Sequence, residues 1–343
     1  MRDIDKQFEF SLFCENRQNF PYYIVSPPYT RFSAGIRVLH ILCSALNQLG
    51  QRAYMLIHPT LRIERAISSY LSTPWLTYAQ IESDFANGRT PITIYPEVIG
   101  GNIFGAPIAF EYLLNFRGAL GQGFRGDGME GIAYSEAIRR SAPGISRTLF
   151  IPTSDPRVFF PQHNKSPRHG IYYYAAKYQI LMGMPPALPE PGAIEIKRDG
   201  IGAQSLEELL SIYRRAERLY IYENSAVATE AALCGCPVVC MPSTFFTQSI
   251  TRFELGDQGI AWGNDQQEVA RAEKSVSGFY EAYLASYRLT YFQLSTFISE
   301  TQALAQTVPY TKMIDVPALR FRNGCSLAAD LASRVYYRLT RAG

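Results

Sequence analysis

The sequence predicts an α/β protein with two successive, mostly parallel sheets. Short apolar segments of strand length alternate with segments whose apolar residues recur at helical spacing, which is typical of βαβ units. This alternation occurs in two series, before and after a loop-like segment at residues 152–168. The length of 343 residues suffices for two domains. We therefore expect two Rossmann-like halves, at residues 1–165 and 166–320, and a C-terminal helix at 321–343 that packs back on the first half.

The first series begins with an apolar strand that ends at a Pro-Pro turn. The helix that follows ends at Gly50, because glycine is favoured just beyond a helix C-terminus. The predicted helices of this series are residues 35–49 and 107–115, and its predicted strands are residues 22–26, 53–57, 92–95, 131–134 and 148–151.

The second series carries clear helix signals. Ser205 and Glu208 form the Ser-x-x-Glu pattern of a capping box, which predicts a helix that ends near Glu217. A helix over Ser225–Leu233 is closed by Gly235. The remaining predicted helices are residues 268–305 and 325–340, and the predicted strands are residues 171–175, 193–196, 219–222, 237–241 and 259–262.

Charge and composition exclude several classes of function. The net charge of +3 is too small for nucleic-acid binding, although it suits an anionic ligand such as a diphosphate or weak attraction to an anionic membrane. The N-terminus lacks the apolar core of a signal peptide. The uncharged segment Ala231–Thr251 contains prolines and a glycine, which favour a strand and a loop over a membrane helix. We expect a cytoplasmic protein, with association at the inner face of the membrane left open.

Cysteine spacing gives no sign of a metal site. Cys234, Cys236 and Cys240 have neither the spacing nor the second Cys/His pair of a structural zinc site. We expect them to be small apolar residues in a buried helix end and strand. No Asp-x-Asp motif follows a predicted strand, so no metal is expected.

A ligand site is predicted where the strand at 219–222 is followed by the turn Glu223–Asn224 and by the helix that Ser225 opens. Ligands of open α/β sheets bind beyond the carboxyl ends of the strands. The first backbone N–H groups of a helix have no partner within the helix and favour an anion. Glu230, farther along this helix, is placed to reach a hydroxyl group of the same ligand.

The same segment resembles the donor-binding signature of GT-B glycosyltransferases, especially those of glycosyltransferase family 4. That signature is a strand, a glutamate, a short apolar or glycine-rich stretch, Glu-Ala and then Cys-Gly-x-Pro-Val. It is matched here by Glu223, Glu230-Ala231 and residues 234–238. The resemblance implies a GT-B fold with a donor cleft between the two halves. It also implies that Glu230 binds the ribose of a nucleotide-sugar, that Asn224 to Ala226 bind its diphosphate and that Glu223 contacts its sugar.

The match departs from the family in its spacing. Family members usually have seven residues between the two glutamates, whereas six separate Glu223 from Glu230. Asn-Ser-Ala also replaces the usual Gly-Phe-Gly. The segment therefore also fits a plain βα unit with one surface glutamate and one helix glutamate, and this alternative stays open.

Three further residues are expected near the donor. Family members carry basic residues after the first strand of the second half, and Lys177 occupies that place, where a cation would stabilise the leaving diphosphate. Arg198 follows the next strand and is a candidate for contacts with the base or the phosphates. Gly35 follows the first strand of the chain, where the family has a glycine-rich loop that approaches the donor. A solvated lysine and a helix start without a ligand are the respective alternatives for Lys177 and Gly35.

Glu97 is the candidate acid of the first half. It leaves a predicted strand at its carboxyl end, and Gly100-Gly101 allow a ligand to approach the backbone closely. We expect Glu97 to orient an acceptor hydroxyl, and an ordinary loop acid is the alternative. Glu136 is a further candidate at a strand end, whereas a structural role is favoured for His58.

The resemblance, taken with these residues, implies a retaining, metal-independent glycosyltransferase in which Glu97, Glu223 and Lys177 are catalytic. The nucleotide-sugar is then a co-substrate, and no cofactor is expected. The acceptor would be a glycan, a glycolipid or a small molecule, as in polysaccharide biosynthesis. The alternatives are a nucleotide-sugar epimerase of the same fold and a non-catalytic nucleotide-sugar-binding protein. A Rossmann oxidoreductase fits less well, because the sequence after the first strand lacks the G-x-G-x-x-G fingerprint.

Overall fold

The chain divides into two compact units in a computed structural model. The model describes residues 20–58, 68, 70–71, 73–116, 128–162 and 167–310. The predicted C-terminal helix at 321–343 lies outside these described residues. Of the described residues, the first unit holds those up to Ile132, Gly144–Arg147 and those from Ser295 onward, and the second holds Ala133–Pro143 and Thr148–Leu294.

Within the described residues, the first sheet has six strands: β1 (Tyr22–Ser26), β2 (Ala53–Ile57), β3 (Ile92–Pro96), β4 (Ile108–Leu113), β5 (Glu130–Ala133) and β6 (Arg147–Thr148). Their order is β2-β1-β3-β4-β5-β6. The pairs β1–β2, β1–β3 and β3–β4 are parallel. Every residue of β1, β3 and β4 is buried, as expected for strands that are covered on both faces. Helices α1 (Ala34–Gln48) and α2 (Tyr78–Ala86) follow β1 and β2.

The prediction of a helix at residues 107–115 is wrong, because Ile108–Leu113 forms strand β4 in parallel register with β3. The segment IAFEYL is buried at every position. A short, fully buried run has no polar face, and its periodicity therefore does not separate a helix from a central strand. Burial on both faces decided in favour of the strand.

In the part of the chain that the structure describes, the second sheet has five strands: β7 (Ile171–Tyr174), β8 (Ile194–Glu195), β9 (Arg218–Ile221), β10 (Val238–Cys240) and β11 (Ile260–Trp262). Their order is β11-β10-β9-β7-β8, and all four pairings are parallel. The helices that follow α2 along the chain are α3 (Glu136–Ser141), α4 (Ala176–Met182), α5 (Leu206–Arg215), α6 (Ala226–Leu233), α7 (Arg252–Leu255), α8 (Gln266–Ser275) and α9 (Phe279–Thr307).

Both sheets are doubly wound. In each, the first strand of the series lies between the second and the third, so the strand order reverses direction there. Open sheets of this kind bind ligands beyond the carboxyl ends of the two strands at the reversal. Those strands are β1 and β3 in the first sheet and β7 and β9 in the second. The predicted α/β class with two Rossmann-like series is confirmed.

The sequence predicted that the segment Ala231–Thr251 forms a strand and a loop rather than a membrane helix. In the structure, it forms the end of α6, strand β10 and an irregular loop. In the part of the chain that the structure describes, no helix is both long and apolar enough to cross a bilayer. Cys234, Cys236 and Cys240 are buried free thiols, and burial raises the pKa of each to about 12. Their predicted role as small apolar residues is confirmed.

Candidate functional site

The carboxyl ends of β7 and β9 bring two helix starts close together in the second unit. Tyr174 at the end of β7 pairs with Ile221 at the end of β9. Helix α4 begins two residues after β7, and α6 begins five residues after β9. The predicted residues Lys177, Glu223, Asn224, Ser225 and Ala226 all lie here, at the strand-order reversal of the second sheet.

Glu223 is a buried carboxylate that caps helix α4. Its side chain is 2% exposed, and Oε2 accepts hydrogen bonds from the backbone N–H of Lys177 and, at 3.1 Å, of Tyr178. Ala175 at the N-cap has no side-chain acceptor, so Glu223 supplies one from another strand. Burial raises the pKa of Glu223, while Lys177 and the two N–H groups oppose the rise. Its Oε1 is buried and has no hydrogen-bond partner among the described residues.

Lys177 points its ammonium group across the same site. Nζ donates to the backbone carbonyl of Asn224 at 2.9 Å. An ammonium group has three donors, and this contact uses a neutral acceptor. The positive charge is therefore held beside the start of α6, and it also stabilises the charged form of the buried Glu223 carboxylate.

The Asn224 side chain joins two loops at this site. Its Nδ2 donates to the carbonyl of Gln248 at 3.2 Å, and its Oδ1 accepts from the N–H of Ile250 at 2.9 Å. The loop that follows β10 is thereby fixed against the turn that precedes α6. Only the backbone of Asn224 remains for the predicted phosphate contact, because the side chain is already bonded twice.

We expect Asn224→Ala to lower the free energy of unfolding by about 1–3 kcal/mol, since each of two lost hydrogen bonds contributes about 0.5–1.5 kcal/mol. Urea denaturation measures the change. Asn264→Ala is the matched control, because Asn264 is exposed and accepts one long bond, from Tyr220 at 3.3 Å. Its effect should stay within about 0.5 kcal/mol. Equal effects of the two variants would contradict the loop-joining role.

Helix α6 starts with its own cap. Ser225 is the N-cap residue, and its Oγ accepts from the N–H of Val227 at 3.3 Å. The N–H of Ala228 bends back to the Ser225 carbonyl at 3.2 Å. Ala226, the first helical residue, is small and lets a ligand approach the positive end of the helix dipole.

Glu230 and Arg198 form a buried ion pair. Arg198 Nη1 lies 3.1 Å from Glu230 Oε2, and the two side chains are 10% and 0% exposed. The structure thus joins two residues that the sequence placed separately, one at the ribose and one at the base or phosphates. In this arrangement the guanidinium covers the carboxylate that was expected to bind the ribose.

Two tyrosines around this ion pair were missed by sequence reasoning. Tyr213 on α5 is fully buried, and its hydroxyl has no partner among the described residues. Burial, followed by the Glu230 charge, raises its pKa well above the usual value. Tyr174 at the end of β7 interacts with Ser225 through its hydroxyl. Tyr213 follows Leu209 at helical spacing, and that inward-facing pattern was the available signal.

In the first unit, Glu97 lies directly after β3 and is 8% exposed. Its Oε2 accepts from the N–H of Leu114 at 3.0 Å. Burial, with a smaller contribution from Glu111, raises its pKa from 4.5 to about 7, and backbone hydrogen bonds oppose the rise. Glu111 on β4 is also buried, and it was missed because its segment was predicted to be helical.

Gly35 packs against Leu114, the residue whose backbone N–H donates to Glu97. A Cβ on Gly35 would come within 3.3 Å of Leu114 Cδ1, so glycine allows the first turn of α1 to pack on Leu114.

His58 lies at the end of β2 with its ring edge-on to Phe104, and burial lowers its pKa, as expected for a structural histidine. Glu136 forms ion pairs with Arg139 and Arg140 at the start of α3.

The second unit therefore combines three chemical features at one sheet edge. A helix start and an ammonium group favour an anion, the buried carboxylate of Glu223 keeps one oxygen available, and the Arg198–Glu230 pair lies beside them. Such a set can bind a diphosphate with hydroxyl-bearing groups on either side of it. In the described residues, no group of three His, Cys, Asp or Glu side chains is arranged to hold a metal ion.

Solved structures similar to this chain include several glycosyltransferases. SnogD from Streptomyces nogalater has 14% identity and a TM-score of 0.44, over 84% of this chain and 100% of its own. The spinosyn rhamnosyltransferase SpnG complexed with thymidine diphosphate has 14% identity and a TM-score of 0.38, over 80% and 96%. An alpha-glucosyltransferase in complex with UDP and a 13-mer DNA has 11% identity and a TM-score of 0.41, over 84% and 99%. No protein-family model and no curated protein matches the sequence. Likenesses of this size assign neither a family nor an activity to the chain.

Proposed function

We propose that this chain is a glycosyltransferase that takes a sugar from a nucleotide-sugar bound at the second unit. The observation that carries the proposal is the meeting of Lys177, Glu223 and the start of α6 at the strand-order reversal of the second sheet. Doubly wound sheets bind nucleotides at this place, and the first N–H groups of a helix suit a phosphate. The family 4 signature at Glu223 and Glu230 points to the same ligand.

The mechanism follows from charge. When the bond between sugar and diphosphate breaks, negative charge develops on the leaving phosphate, and groups already aimed at that charge lower the barrier. Lys177 and the backbone at Ser225 and Ala226 would stabilise it. Glu223 Oε1 would accept a hydrogen bond from a hydroxyl of the sugar. We propose metal-independent transfer with retention of configuration, on the family resemblance.

Glu97 of the first unit is proposed to orient the acceptor hydroxyl. Its carboxyl group is buried at the carboxyl end of β3, the place where a doubly wound sheet presents residues to a ligand. A glycan or lipid-linked acceptor at the cytoplasmic side of a membrane fits the family resemblance. An epimerase would turn over without an acceptor, and a binding protein would hold the donor without turnover.

A thermal-shift screen of UDP, GDP, dTDP, ADP, CMP and NAD tests the donor class. A ligand at about 100 times its dissociation constant stabilises the folded state by roughly 2.7 kcal/mol. We expect one nucleoside diphosphate to raise the Tm of the protein and NAD to leave it unchanged. Incubation with the corresponding nucleotide-sugar should then release the diphosphate only when a sugar acceptor is present. A shift by NAD alone would contradict the proposal.

A further inference from the structure

The loop that carries Arg198 has a fixed stem and a free tip. At the stem, the N–H of Lys197 donates to Gln204 Oε1 at 2.6 Å, and the N–H of Gln204 donates to the Lys197 carbonyl at 2.9 Å. Gly200 and Gly202 at the tip have φ of +75° and +77°, and a Cβ on either would meet nothing within 4 Å. Glycine adopts this backbone conformation without steric cost, and the tip has no side chain at these two positions that could anchor it.

Arg198 is the first residue beyond this stem, and it reaches from the loop to Glu230. The guanidinium and the carboxylate are 3.1 Å apart and almost entirely buried. The contact therefore holds a loop with an open tip down onto α6. If Arg198 moves away from α6 with the loop, this ion pair must break.

The polar groups around the ion pair are incompletely bonded. Arg198 Nε and the Tyr213 hydroxyl are both buried, and neither has a hydrogen-bond partner among the described residues. Buried polar atoms are nearly always bonded in folded proteins, and exceptions require an explanation. Here one N–H donor and one hydroxyl group are left without hydrogen bonds around the ion pair.

We propose that residues 198–203, between the stem residues Lys197 and Gln204, form a gate over the nucleoside part of the donor site, held closed by the ion pair between Arg198 and Glu230. A nucleoside diphosphate opens the gate by an exchange of partners. Its phosphates take the guanidinium of Arg198, and its ribose hydroxyls donate to the carboxylate of Glu230. This inference rests on the proposed function, since it assigns a regulatory contact to the same donor site.

The exchange has a consequence that a static binding site lacks. A nucleoside without phosphates has hydroxyl groups for Glu230 but no charge for Arg198, so it must break the ion pair without compensation. The closed gate therefore selects for the diphosphate and against the free nucleoside. Removal of the guanidinium should weaken the diphosphate and strengthen the nucleoside at the same time.

Isothermal titration calorimetry tests these opposite changes in affinity. The ligand pairs are UDP and uridine, GDP and guanosine, and dTDP and thymidine. We expect Arg198→Met to weaken the preferred diphosphate about tenfold and to tighten its nucleoside about tenfold, the size of one charge-assisted hydrogen bond. Glu230 would lose the opposite charge of Arg198 in this variant, and the loss of one member of a buried ion pair is strongly destabilising. The double variant Arg198→Met/Glu230→Gln removes both charges at similar volume. It should show the same weaker binding of the diphosphate and tighter binding of the nucleoside. Lys197→Met is the control on the same loop, because Lys197 is exposed and should change neither ligand.

Each outcome is decisive. Opposite shifts for diphosphate and nucleoside support the gate. Parallel losses of both ligands, or no change in either, overturn the gate while diphosphate binding to the wild type leaves the proposed function standing. If the wild type and both neutralised variants bind no nucleotide of the panel, the proposed function falls and the gate falls with it.

Discussion

Replacement of Lys177 by methionine should lower kcat/KM for sugar transfer about 10²–10³-fold, the usual loss when one aimed electrostatic group is removed from a reaction that develops charge. The ammonium contacts the Asn224 carbonyl at 2.9 Å and lies beside the first turn of α6. Methionine keeps most of the apolar stem of the side chain and removes the charge together with the hydrogen bond to Asn224. Glu223 loses a nearby positive charge in this variant but keeps its two backbone N–H donors, so the fold should be retained. Initial rates of nucleoside diphosphate release, with melting curves in parallel, measure both effects.

Lys197→Met is the matched control for this loss. Lys197 lies in the same unit, its side chain is 50% exposed, and its charge is 3.8 Å from Glu195. Exposed ion pairs contribute about 0–1 kcal/mol, so neither rate nor stability should change measurably. If the two variants lose activity equally, general charge attraction explains the effect. If Lys177→Met retains full activity, Lys177 is the solvated lysine of the alternative interpretation.

The elements of the second sheet could be predicted because their signals are local. The Ser205–Glu208 capping box is present as expected, with both of its hydrogen bonds formed. Predicted strand ends in both sheets agree with the structure to within a few residues. The start of α6 was predictable from Ser225 alone, since an N-cap serine bonds within its own turn. Sequence patterns within one turn or one strand predict the structure correctly here because they do not depend on residues that are far away in sequence.

The contacts of the site residues could not be predicted, because each partner lies far away in sequence. Glu223 caps a helix more than forty residues earlier, at 45 and 46 residues from its two N–H donors. Arg198 and Glu230 meet only because the loop after β8 folds over α6. Helix α4 is also too short, at 7 residues with none buried, to show apolar periodicity. Sequence patterns locate such residues at strand ends and leave their partners open.

Glu97→Gln should stabilise the protein at alkaline pH. Burial raises the pKa of Glu97 from 4.5 to about 7, so the folded state holds the proton more tightly than the unfolded chain does. The free energy of unfolding of the wild type therefore falls as the pH rises from about 4.5 to about 7, and it levels off above that range. Glutamine stays neutral and avoids this loss. We expect a gain of about 1–3 kcal/mol at pH 8 and little gain at pH 5, measured by urea denaturation.

The same variant should lose transfer activity about 10²–10⁴-fold, as expected for a group that receives or orients the proton of the acceptor hydroxyl. Wild-type kcat/KM should rise through pH 7 as Glu97 ionises, and the variant should lack that rise.

Glu130→Gln is the control in the same unit, because the Glu130 side chain is 50% exposed and pairs with Arg147 at the surface. It should change neither the pH profile nor the rate. A carboxyl group that destabilises the fold at neutral pH is retained for a reason other than folding, so a more stable and inactive Glu97→Gln would assign that reason to the reaction. A stable variant with full activity would make Glu97 the ordinary loop acid of the alternative interpretation.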